Sequence, residues 1–411
     1  MHRRVQYPDR ESNSELSFRR ALLYPFNYQG SLSGVQRYKF VKKKPNFFIF
    51  FVSLYPLMGM SKTKNHKTVL IEKVLTGIFL ALLTHPTVIA QTVGWGVHAF
   101  GFFDNSEGDD QYRWSGTFSG IYLQPQLSVS SISNKHRLVM GYDALLESGA
   151  KPEIGTDGIL GYYQYQHRDV RFLLGKFPRR LQQETMPDYL IMDSIKYFRP
   201  NITGFDFLYS TSSAYVEAFL DWTAKRDSNV REQFMAGLMA RYRSGWFQTG
   251  IDGYYYHYAK EQRSWRTRHQ APHDNFLMHP YVGLSQQQVW LLDSLGLRTG
   301  MLINFDRDRE TDKQWHVPIG FLGELGARWK KVGLSQLVYI GQRQQYYGEA
   351  GRGKYYWGDA YYRSPYYLRT DLTYQFLLDR YASLKCGLAF HVTDKGVRWN
   401  QMLQLNVSFG R

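Results

Sequence analysis

Two stretches carry residue types at spacings that could do chemistry. Gly348-Glu349-Ala350-Gly351-Arg352-Gly353-Lys354-Tyr355 imitates the phosphate-cradling pattern G-x-x-x-x-G-K-[ST]. It fails at the eighth residue, because Tyr355 cannot replace the small hydroxyl that holds magnesium. No helical pattern follows whose amino end would face a phosphate. The stretch reads as a glycine-rich surface loop without a nucleotide. The second is a set of histidines, His257, His269, His273 and His279, around residues 259–278. They lack metal-ligand spacing and a carboxylate at a fixed offset, so they read as an ordinary wet loop. No nucleophile motif appears, and the single cysteine, Cys386, excludes a cysteine metal cluster. The residues therefore predict no catalytic set, no metal and no cofactor, and hence no enzyme.

Two further stretches suit recognition. Between Gln342 and Tyr367 the chain places Tyr355, Tyr356, Trp357, Tyr361 and Tyr362 beside Arg, Asp and Gln. Flat rings next to polar groups suit sugars, which makes this a candidate glycan-contact loop. The alternative is an aromatic belt at a membrane surface, with the loop packed on itself. The link 180–201, RLQQETMPDYLIMDSIKYFRPN, sets Glu184, Asp188 and Asp193 among Leu190, Ile191, Met192 and Ile195. Its large apolar side chains need burial, each worth about 1.5–3 kcal/mol.

The elements that must position these residues are strands. The chain has 411 residues, 17% aromatic, with 32 Tyr and 10 Trp, yet its mean hydropathy is −0.44. After position 90 no run of about 20 apolar residues offers a membrane helix. From Gln91 onward, sixteen alternating segments can be laid out, near 92–104, 116–131, 137–147, 158–166, 170–179, 202–209, 214–224, 232–243, 246–258, 279–291, 297–305, 317–329, 332–341, 366–376, 382–393 and 397–409. Tight connections such as Ser244-Gly245, Asp293 to Gly296 and Lys330-Lys331 alternate with long ones such as 105–115, 180–201, 259–278 and 342–365. A bilayer-spanning barrel requires that asymmetry, whereas a soluble sandwich gives no reason for it. The fold predicted is all-β, a transmembrane antiparallel β-barrel of about 16 strands with short turns on one side and long loops on the other.

Each strand splits into an apolar and a polar face. Segment 214–224 sets Val216, Ala218, Leu220 and Trp222 against Tyr215, Glu217, Phe219 and Asp221. Charges on the second face need water or partners, so they should line the lumen. The expected lumen residues are Asp143, Glu147, Glu217 and Asp221 on the early strands, and Arg328, Arg369, Lys385 and Arg398 on the late ones. An acidic wall would then face a basic one. Pro125 predicts a bulge in the second strand.

The last segment alternates Val397, Trp399, Leu403, Leu405, Val407 and Phe409 with polar residues. Here the chain resembles outer-membrane β-barrel proteins of Gram-negative bacteria. Their final strand carries such a pattern for the barrel assembly machinery, and Trp399, Leu403, Leu405, Val407 and Phe409 match it, with Phe409 third from the end. The resemblance implies contact with outer-membrane lipid and lipopolysaccharide. It implies short periplasmic turns, long outer loops and a porin-like passive channel for small polar solutes, with the link 180–201 folded inward and Glu184, Asp188 and Asp193 at a constriction. Otherwise that link packs on itself outside. The alternative function is a loop-plugged barrel that binds surface glycan or assists capsule attachment, and an outer-membrane enzyme is third.

Residues 1–90 carry 14 Lys and Arg against 4 Asp and Glu, and the rest of the chain carries 37 against 31. Most of the +16 formal charge thus falls outside the barrel, which removes the main support for nucleic-acid binding. Residues 60–90 read as a signal peptide. Lys62, Lys64, Lys67 and Lys73 precede the apolar stretch Val74 to Leu83, and Val88-Ile89-Ala90 ends it. Residues 1–59 then fall outside the mature protein, unless Phe47 to Leu57 is a first anchor. Amino-terminal sequencing of membrane-extracted protein should return Gln91, and recovery of residues 1–59 on it would overturn the signal reading.

Overall fold

The computed structural model describes residues 92–150, 154–225, 231–259, 272–348 and 355–410. Residues 1–91, and with them the expected signal segment, lie outside the described set. Sixteen strands follow one another: β1 (Thr92–Gly108), β2 (Gly116–Ser130), β3 (His136–Glu147), β4 (Ile154–His167), β5 (Val170–Pro178), β6 (Asn201–Ser210), β7 (Ala214–Ala224), β8 (Gln233–Ser244), β9 (Phe247–Tyr258), β10 (His273–Val289), β11 (Leu292–Asp308), β12 (Ile319–Trp329), β13 (Val332–Gly341), β14 (Tyr366–Leu378), β15 (Ala382–Thr393) and β16 (Gly396–Gly410). Each pairs antiparallel with the next, and β1 pairs with β16 from Gly96↔Gly410 to Gly108↔Arg398 to close the barrel. Closure leaves no strand edge in a solvent that offers no hydrogen bonds. No helix among the described residues is long and apolar enough to cross a membrane.

The faces follow the period-two pattern. In β16, Val397, Trp399, Leu403, Leu405 and Phe409 are exposed on the outer wall, while Arg398, Asn400 and Met402 are buried inside. In β7, Tyr215, Glu217, Phe219 and Asp221 are buried, and Val216 and Trp222 are exposed.

Three details differ from expectation. Pro125 makes no bulge: the β2–β3 ladder skips Gln124 and Pro125 and resumes in the same register, since a proline costs one donor and shifts nothing. The real irregularities lie at Asp143/Leu145, Trp222/Ala224 and Gln375/Leu377. The tight turn expected at Asp293 to Gly296 is instead Trp290-Leu291, with Trp290 at φ 54°, and Gly296 is a ladder residue opposite Ser285 and Gly326. Finally, β10 and β11 run 17 residues each, longer than expected, whereas β5 has 9 and β6 has 10. A tilted strand crosses the bilayer in about 9–11 residues, so the long pair stands beyond the apolar band.

Leu403→Arg should impair insertion, because an arginine facing lipid at the midplane costs about 2–4 kcal/mol. Gln404→Arg should be tolerated, because Gln404 faces inward, where its amide donates to the Tyr197 hydroxyl at 3.0 Å. Heat-modifiable gel mobility of the two variants checks this, and equal damage would mean the faces are misassigned.

Candidate functional site

The interior is filled by two of the long links. Strands β5 and β6 have only nine and ten residues, and the link between them leaves the wall into the barrel. It turns through a 3-10 segment (Arg179–Leu181) and returns by a short helix, α1 (Asp193–Phe198). Met186, Tyr189, Leu190, Ile191 and Ile195 are fully buried against lumen-facing residues from β3 to β14. Tyr197 of α1 covers β1 to β3 through Phe102, Tyr122 and Leu145, stacking on Phe102 at 4.7 Å. The link between β13 and β14 folds in beside it. The Met192 amide donates to the Trp357 carbonyl at 2.7 Å, and the Asp359 amide to the Asp188 carbonyl at 2.9 Å. Gly358 is required at this crossing, since a Cβ there would lie 2.1 Å from the Tyr189 carbonyl oxygen.

This placement corrects the expected glycan-contact loop. Tyr356, Trp357, Tyr361 and Tyr362 are buried, and their faces are taken by one another and by the wall. Tyr361 stacks on Tyr367 at 5.1 Å and on His391 at 4.6 Å; Tyr355 stacks on His273 at 4.3 Å. Rings packed this way recover their burial energy from the protein, and of the five residues only Tyr355 stays half-buried. Of the phosphate-loop imitation, Glu349 to Lys354 lie outside the described residues.

The expected constriction is corrected in the same way. Glu184 is ion-paired with Arg241, Asp188 with Arg369, and Asp193 with Lys196 at 2.5 Å, so none is an unpaired carboxylate aimed at a passage. The link also stands between the two expected walls and neutralises both. Its Arg179 meets Asp221 at 2.5 Å, and Glu217 accepts from the Gln183 amide at 2.9 Å and from Arg171 at 2.8 Å. On the other side Arg369 takes Asp188 and, at 3.0 Å, Asp371. Asp143 accepts from Asn201 at 2.8 Å and from Gln124. Arg398 donates to the Asp110 carbonyl at 2.8 Å and to the Ser106 hydroxyl at 3.2 Å. Arg328, Lys385 and Glu147 remain half-buried on the inner face. Within the second link, Asp359 pairs with Arg113 at 3.3 Å, yet burial still raises its carboxyl to about 6.

The histidines do not make a wet loop. His273 and His279 are buried on the inner face of β10, where His273 pairs with Asp306 at 3.0 Å and His279 Nδ1 meets the Tyr189 hydroxyl at 2.8 Å. His269 lies outside the described residues. No group of His, Cys, Asp and Glu among the described residues could hold a metal.

His257 belongs to a different site, on the outer wall. Register sets Trp222, Phe234, His257, Asp274 and Arg307 side by side across β7 to β11. Asp274 Oδ1 accepts from the Tyr255 hydroxyl at 2.8 Å and lies 3.1 Å from His257 Nδ1. Its Oδ2 takes Arg309 Nε at 2.6 Å and an Arg307 Nη at 3.0 Å. Sequence reasoning missed this cluster. The signal was available: Tyr255, His257, Asp274 and Arg307 occupy the phase that elsewhere on these strands is apolar.

A family model described as Lipid A 3'-O-deacylase-type matches residues 86–409. The chain belongs to that family. No curated protein matches the sequence. Among solved structures, this family member is similar to the outer membrane protein OprD from Pseudomonas aeruginosa, at TM-score 0.45 and 8% identity over 78% of this chain and 94% of that one. It is similar to OpdK from the same organism at TM-score 0.46 and 9% identity over 78% and 99%, and to a mutant Rh. blastica porin at 0.41 and 11% over 78% and 100%.

Asp188→Asn should loosen the interior of this deacylase-type barrel, because it leaves the buried Arg369 with Asp371 alone. Removing one partner of a buried pair costs about 3–5 kcal/mol. The unfolding midpoint in detergent should fall, and an unchanged midpoint would show that the link does not hold the plug.

Proposed function

We propose that this protein is a loop-closed outer-membrane barrel that removes an ester-linked acyl chain from lipid A at its outer wall, rather than an open passage for solutes. The observation that carries the reading is the filled lumen. Leu302, Leu322 and Tyr339 face inward, yet each is 0% exposed. Sixteen strands enclose a water channel unless something fills it, and here the two inward links take that space. A barrel so closed has its largest free surface on the lipid side, where the family's substrate lies. The match over residues 86–409 supplies the chemistry.

The outer wall offers an acid–base pair for it. With Nδ1–H donating to Asp274, the His257 imidazole keeps Nε2 to take a proton from a water whose oxygen bonds to the acyl carbonyl carbon, and to return that proton to the sugar oxygen as the ester C–O bond breaks and the fatty acid leaves. Arg307 and Arg309 hold the carboxylate in place.

Mass spectrometry of lipid A from cells that express the protein should show loss of one acyl chain. His257→Ala should reduce that loss by about 10²- to 10⁴-fold, the usual share of a general base. Unchanged acylation with the wild-type protein sinks the hydrolysis. Separately, purified protein should be silent in a planar bilayer, and stable conductance steps there would restore the passive-channel reading.

A further inference from the structure

We infer that Arg307 and Arg309, seated on Asp274, form a clamp on the outer wall for the phosphate of an outer-leaflet glycolipid headgroup. The first argument is height. Phe247 opens β9 beside the short-turn rim, and His257 follows ten residues later. At about 3.3 Å per residue and a tilt of about 40°, that is a rise of about 25 Å, the height of the apolar band. The cluster therefore stands where hydrocarbon gives way to headgroups, among exposed Trp222 and Phe276.

The second argument is charge. Two guanidiniums meet one carboxylate, which leaves one positive charge in excess. Asp274 is fully buried, while the Arg307 and Arg309 side chains remain 25% and 42% accessible. The carboxylate thus acts as a seat that orients both forks and leaves donors free to turn outward. Arg307 also lies 4.2 Å over the Trp315 ring, which fixes the plane of its guanidinium. A planar fork with spare donors suits phosphate oxygens better than a point charge does. The neighbours on the same wall are rings, so the anion that fits is one joined to an apolar body lying along β7 to β10.

The clamp rests on the barrel's place in a phosphorylated outer leaflet and stands whether or not His257 hydrolyses an ester. Its test uses the full-length mature protein in detergent, with native mass spectrometry of bisphosphorylated lipid A, dephosphorylated lipid A and inorganic phosphate. The wild type should retain the bisphosphorylated form about tenfold better than the dephosphorylated one. Arg307→Gln with Arg309→Gln should abolish that preference, and Arg307→Lys with Arg309→Lys should keep part of it. Because the double Gln variant frees Asp274, heat-modifiable mobility first confirms that it has folded. If it has not, the wild-type preference and the Lys pair decide. Absence of a wild-type preference, an undiminished preference in a folded Gln pair, or complete displacement of lipid by about 1 mM inorganic phosphate would each overturn the clamp. Acyl release is read by mass in the same samples. Release without preference spares the hydrolysis and sinks the clamp, and preference without release does the reverse.

Discussion

Every feature of this protein follows from the requirement that no backbone polar group be left unpaired in hydrocarbon. A sheet in lipid must close, so β1 and β16, at opposite ends of the described chain, zip together over thirteen aligned positions from Gly96↔Gly410 to Gly108↔Arg398. Closing sixteen strands makes a cylinder too wide for its own wall side chains to fill. The interior must then hold either water or chain. Strands β5 and β6 decide for chain, because the link between their ends turns into the barrel.

Once inside, that link must solve an electrostatic problem. Carboxylates on β6, β7 and β9 and guanidiniums on β14 and β16 cannot be dried without partners. The order of charges along the link matches the order of the walls: Arg179 for Asp221, Glu184 for Arg241, and Asp188 for Arg369. The second link closes over the first through main-chain bonds and stacked rings, with Gly358 permitting the contact. Polar pairing places the links and aromatic burial holds them.

Filling the lumen leaves the outer wall as the place for the chemistry we propose. A channel works through its inner face, whereas this barrel spends that face on packing. The outer face is apolar along most of its height, as lipid demands, and departs from that rule where β9, β10 and β11 rise beyond the apolar band. There a histidine, a carboxylate and two arginines share one hydrogen-bonded set. Charge at that level is stable because it meets headgroups rather than acyl chains, and it is available to whatever those headgroups carry.

What could be read without coordinates was whatever is written in neighbouring residues. Alternation reports which face meets lipid, so the bounds 214–224, 332–341 and 382–393 coincide with β7, β13 and β15. Link lengths report the two ends of the barrel. Where alternation fades, at the polar ends of β10 and β11, the strands run past their expected limits, because beyond the apolar band polar residues occupy both faces, the inner one buried among partners such as His273 and Asp306, and the period loses its cause. Partners across the lumen were illegible for another reason. Asp188 and Arg369 are 181 residues apart, and nothing local marks them as a pair. The tyrosines of 355–362 look alike whether they face a ligand or each other. The barrel and its faces belong to the sequence by itself, because lipid acts on each residue in turn. The plug and the outer-wall cluster belong to the tertiary structure, because burial and pairing depend on which distant side chains the closed cylinder brings together.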